Sequence, residues 1–141
     1  MSKARTMLAT LALGATIALT GSAFAEKMKV TLDSKSEVPP NTSAGTGTAD
    51  VDYDAASKKL TWKLTYSGLS GPATAAHFHG PAEAGKNAGV KVPIPNATSS
   101  PAEGSATLTD EQAADLTAGK YYINVHTAAN PGGEIRGQVP K

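Results

Sequence analysis

The chain has 141 residues, 13 lysines and arginines against 12 aspartates and glutamates, and no cysteine. The length suits one domain. The lack of cysteine excludes disulfides and thiolate metal sites, so any metal would need His, Asp, Glu, Asn or backbone ligands.

Lys3 and Arg5 precede an apolar run from Met7 to Leu19, and Ala23-Phe24-Ala25 follows. This is the pattern of a signal peptide over residues 1–25, with cleavage after Ala25. The apolar run falls short of the ~20 residues a membrane span needs. No stable span is expected after cleavage, and the address is secreted or periplasmic. Removing Lys3 and Arg5 leaves 11 basic residues against 12 acidic ones, a net charge of about −1. Nucleic acid is therefore not an expected partner, because phosphate binding calls for a basic stripe. An extracytoplasmic ligand or protein of unknown identity is the expected kind of partner.

Met28, Val30 and Leu32 alternate with polar residues and predict a first strand. Ser34 to Gly47, with Pro39-Pro40-Asn41, reads as a loop. Thr46 to Tyr53 and Lys58 to Tyr66 predict a hairpin, with Asp54-Ala55-Ala56-Ser57 as its turn. Trp62 keeps register with Leu60 and Leu64 and is assigned to the core rather than to ligand stacking. Thr74 to His79 predicts a fourth strand, and Val90 to Ile94 an edge strand limited by Pro93 and Pro95. After a strand at Gly104 to Leu108, Thr109-Asp110-Glu111-Gln112 forms a capping box. It opens a short helix near residues 110–117 that Gly119 ends. Lys120 to Thr127 and Glu134 to Val139 predict the last two strands, joined by Asn130-Pro131-Gly132-Gly133. The fold class is all-β, an antiparallel β-sandwich of Greek-key-like kind, spanning residues 26–141 as one domain.

All three histidines lie in two segments, Ala75 to Ala82 and Asn124 to Val139, together with Arg136. Alternation puts His77 and His79 opposite Ala76 and Phe78. It puts Asn124 and His126 opposite Ile123 and Val125, and Glu134 and Arg136 opposite Ile135. If these strands are neighbours, six polar groups share one outer face: His77, His79, Asn124, His126, Glu134 and Arg136. Two imidazoles two residues apart on a strand suit one metal ion. A third from a neighbouring strand would complete a three-histidine copper or zinc site with one position left for water. The alternative is a set of surface histidines held by hydrogen bonds to Glu134, Asn124 or the backbone. Arg136 has its own alternative, a cross-turn ion pair with Glu134. No nucleophile elbow, phosphate loop or catalytic carboxylate pair is present, so no catalytic residue is assigned and an enzyme is the less favoured reading.

At these residues the chain resembles the CHRD domain, named after its repeats in chordin and found also in exported bacterial proteins. The resemblance rests on Ala75-Ala76-His77-Phe78-His79-Gly80-Pro81-Ala82, on Leu108 to Leu116, and on Tyr121 to Val139. It implies an all-β extracellular binding module without an established enzymatic activity. In order, His77-Phe78-His79 and the late Arg136 are also similar to copper–zinc superoxide dismutases. Carried over, His77, His79 and His126 would be copper ligands and Arg136 would guide an anion. The missing cysteine, the small number of histidines and the lack of an Asp-rich zinc loop depart from that family.

Overall fold

A computed structural model describes residues 25–141. The expected signal peptide, apart from Ala25, lies outside the described residues. The elements are β1 (Glu26–Asp33), β2 (Thr46–Asp54), β3 (Lys59–Ser67), β4 (Ala73–His79), β5 (Val90–Pro93), β6 (Ala102–Thr107), α1 (Asp110–Thr117), β7 (Tyr122–Thr127) and β8 (Ile135–Gln138). The strands form one antiparallel sheet in the order β5-β4-β7-β8-β1-β2-β3-β6.

The sheet folds over on itself into a sandwich. One half is β5-β4-β7-β8 and the other is β1-β2-β3-β6. The halves join where β8 meets β1 through the single registered pair Asp33 and Arg136. Gly137 sits at this join, and a Cβ there would collide with the Thr31 carbonyl. Glycine lets the two backbones approach that closely. The inner faces meet at Trp62 on β3 and Phe78 on β4, whose rings pack edge to face at 5.3 Å and 60°. Trp62 is thus a core residue, 3% exposed. Leu32, Leu60, Leu64, Ile123, Val125 and Ile135 complete the centre of the core, all 0% exposed.

The stretch from Ile94 to Pro101 carries the chain between the two free edges. The Ile94 amide donates to the Ala76 carbonyl at 3.0 Å. The Tyr66 hydroxyl donates to the Ala97 carbonyl at 2.8 Å, and the Tyr66 amide to the Ser100 hydroxyl at 3.0 Å. The capping box forms as expected. The Gln112 amide donates to the Thr109 hydroxyl at 3.2 Å, and the Thr109 amide to the Gln112 side chain at 3.0 Å. Ala113 and Leu116 face the core. The Gln112 side chain also donates to the Lys91 carbonyl, tying the helix to β5.

One expectation about orientation is corrected. Arg136 and Glu134, assigned to an outward face, are 1% and 0% exposed. Arg136 is covered by two loops, residues 34–45 and 80–89, which lie over the outer side of β7 and β8, while Glu134 is enclosed by Ser43, Ser70, Thr127 and Asn130. The loops are tied together by the Asn87 side chain, which donates to the Val38 carbonyl at 2.9 Å.

Candidate metal centre

β7 lies between β4 and β8, so the strands carrying the singled-out residues are neighbours. The register sets Ala75 opposite His126, His77 opposite Asn124 and His79 opposite Tyr122. Asn124 in turn lies opposite Arg136 on β8. Alternation turns His77, His79, Tyr122, Asn124 and His126 away from the core.

The three histidines converge. Ring centroids are 5.4 Å apart for His77 and His79, 4.9 Å for His77 and His126, and 6.0 Å for His79 and His126. One ligand nitrogen from each falls within 4.8 Å of the others. In a four-coordinate zinc site with bonds of ~2.0–2.1 Å, ligand atoms sit about 3.4 Å apart. Small side-chain rotations would close that gap.

Backbone carbonyls set the tautomers of two rings. His126 Nδ1 lies 2.8 Å from the Pro131 carbonyl, and His79 Nδ1 lies 2.9 Å from the Ala88 carbonyl. A carbonyl only accepts, so both Nδ1 atoms carry the proton and donate. Both Nε2 atoms then offer a lone pair. That of His126 meets His77 Nδ1 at 3.1 Å. That of His79 is buried and has no hydrogen-bond partner. A carbonyl behind the far nitrogen is the usual support of a metal-bound imidazole. Burial, then the neighbouring His126 and His79, lowers the pKa of His77. Burial likewise lowers that of His79, opposed but not reversed by the Ala88 carbonyl. Both rings therefore favour the neutral form that a metal needs.

Arg136 does not pair with Glu134. Its guanidinium donates to the Asn87 side chain at 3.1 Å and to the Lys86 carbonyl at 2.7 Å. It also lies 3.5 Å over the Tyr122 ring. His79 stacks on that same ring, with planes 2° apart and centroids at 4.9 Å. Tyr122 thus takes an imidazole from β4 and a guanidinium from β8. Its hydroxyl donates to the Ala88 carbonyl at 3.1 Å, which holds the 80–89 loop down.

Glu134 faces another way, toward one end of the sandwich. It accepts from the Ser43, Ser70 and Thr127 hydroxyls, the Ser70 amide and the Asn130 side chain. Burial pushes its pKa up, but these donors, Ser70 first, outweigh it and hold the carboxyl at about 2. Glu134 acts on the cluster only at a distance, by fixing the turn that carries Pro131.

Asn124 stays with the histidines, 2% exposed. Its amide donates to the Glu37 carboxylate at 3.2 Å and to the Gly132 carbonyl at 3.3 Å. Gly133 beside it has φ +125°, and a side chain there would strike the Glu37 carboxylate. Glu37 and Asn87 were not legible as site residues. Both lie in loops, where no periodicity says which way a side chain turns. Tyr122 carried one signal, its alternation with Asn124 and His126. A surface recess on the other half-sheet, among Asp50, Asp52, Lys63 and Glu103, lies far from this cluster in the sheet order.

Residues 28–139 match the family model of the CHRD domain. No curated protein and no solved structure matches the chain significantly.

Proposed function

We propose that this chain, which belongs to the CHRD domain family, is an exported binding module that takes up copper or zinc through His77, His79 and His126. The observation that carries this reading is the convergence of three ligand nitrogens within 4.8 Å, drawn from two strands that are adjacent only in the fold. The carbonyls behind His79 and His126 and the lowered pKa of His77 and His79, caused first by burial, support it further. Export follows from the apolar leader over residues 1–25 and its Ala23-Phe24-Ala25 end.

The reading is binding rather than catalysis. A dismutase-type role would need Arg136 to attract an anion from solvent. Arg136 is 1% exposed, and its guanidinium donates to the Asn87 side chain and the Lys86 carbonyl of the 80–89 loop. Arg136 and Tyr122 instead form the wall against which His79 is stacked.

Calorimetric titration of the mature protein with copper(II) and zinc(II) tests the proposal, beside a His77→Ala, His79→Ala, His126→Ala triple variant. One site of sub-micromolar affinity that vanishes in the variant is expected. Binding no stronger than the variant's background would end the metal reading and leave the module to a macromolecular partner.

A further inference from the structure

We infer that the side-chain oxygen of Asn124 is a fourth ligand, so that the site is a closed three-nitrogen, one-oxygen cage suited to a divalent cation. The inference rests on the three-histidine reading and narrows it to a coordination shell and a metal charge.

The orientation of the amide is fixed by what surrounds it. The Asn124 nitrogen has two acceptors, the Glu37 carboxylate and the Gly132 carbonyl, at 3.2 and 3.3 Å. An amide oxygen in that place would face two other oxygens, so the nitrogen must occupy it. The oxygen then points the other way. It is buried and no donor reaches it. The Nε2 atom of His79 is also buried and without a partner. Asn124 lies directly opposite His77 in the register of β4 and β7, on the face that also carries His79 and His126, so both unpartnered lone pairs belong to one face. Buried acceptors are ordinarily satisfied, and a cation satisfies both at once.

Glu37 strengthens the oxygen as a donor. Its carboxylate accepts from the amide nitrogen and draws electron density toward the oxygen. A carboxylate behind a metal-bound histidine raises ligand basicity in the same way. Amide oxygen is a hard ligand. Added to three imidazoles it is compatible with zinc(II) or copper(II), while copper(I) prefers softer ligands.

Two measurements test the inference. In wild-type protein, the side-chain carbonyl carbon of Asn124 is followed by NMR during zinc(II) titration. Its resonance is expected to move and saturate at one equivalent; a resonance that stays put while zinc binds overturns the inference. Asn124→Leu is then titrated with zinc(II) and copper(I). Zinc(II) affinity should fall about 10- to 100-fold, with copper(I) affinity changed by less than about threefold. Equal zinc(II) affinity in variant and parent would overturn the inference. Should the variant not fold, the wild-type resonance decides alone. If the wild type binds neither metal, the three-histidine reading fails and this inference falls with it. Zinc(II) bound through the histidines with Asn124 unmoved removes the fourth ligand only.

Discussion

The two half-sheets carry the same alternation of apolar and polar residues, yet their outer faces differ. On β1, β2, β3 and β6 the outer face is bare. Lys27 faces Asp52, Lys29 faces Asp50 and Lys63 faces Glu103, each pair 3.8 Å apart and well exposed. Such pairs contribute roughly 0–1 kcal/mol. On β4, β7 and β8 two loops roof the outer face, and Asn124, Arg136 and His79 are buried beneath them. Polar groups on the bare face have water as a partner. Those under the roof must find partners in the protein, and nearly all do. Three exceptions remain there, the Asn124 oxygen, His79 Nε2 and the Gln138 side-chain oxygen, and the first two lie on the face that carries the histidine cluster. Alternation tells which face a residue takes; it does not tell whether that face is wet.

Substitutions on the two faces should therefore differ in cost. Arg136→Ala removes a buried cation, frees the Lys86 carbonyl and the Asn87 side chain, and uncovers Tyr122. A loss of about 3 kcal/mol is expected, read as a shift in the urea midpoint. A variant as stable as its parent would mean that the roof does not depend on Arg136. Glu134→Gln places an amide where five donors converge and should cost about 2 kcal/mol. The same carboxyl sets a pH dependence. Its pKa is held at about 2 in the folded state against 4.5 ordinarily. Its contribution is complete above pH 4.5 and lost as the pH falls through 2. Wild-type stability should thus decline across that window more than that of Glu134→Gln; parallel curves would remove Glu134 as the cause. Asp50→Asn, on the bare face, should change stability by less than about 0.5 kcal/mol in the same urea experiment. A larger loss there would erase the contrast between the faces.

Much of this was legible in the sequence. Strand positions followed from period-two alternation, Trp62 fell in the core as its register required, and the Thr109–Gln112 capping box formed in full. The gathering of His77, His79 and His126 followed from their faces once β4 was set beside β7. That adjacency was not readable, because β4 and β7 are distant in sequence and nothing local records long-range pairing. Nor was the roof. Residues 34–45 and 80–89 are rich in Pro, Gly and Ala, which mark loops but not where loops lie. Hence Arg136 was assigned outward and is buried, and Glu37 went unnoticed though it orients Asn124. Glu134 departs from the alternation of Ile135 because it precedes β8, where side-chain donors rather than the pleat decide its direction.

The chain separation within the cluster has its own consequence. His77 and His126 are 49 residues apart in sequence, yet their nitrogens meet at 3.1 Å. A cation seated between them would close a loop of that length, as a covalent cross-link does. The entropy such a link removes from the unfolded chain amounts to about 4 kcal/mol. In a protein without cysteine, the cation would act as a removable clasp. The melting temperature would then rise with free metal and return when a chelator is added.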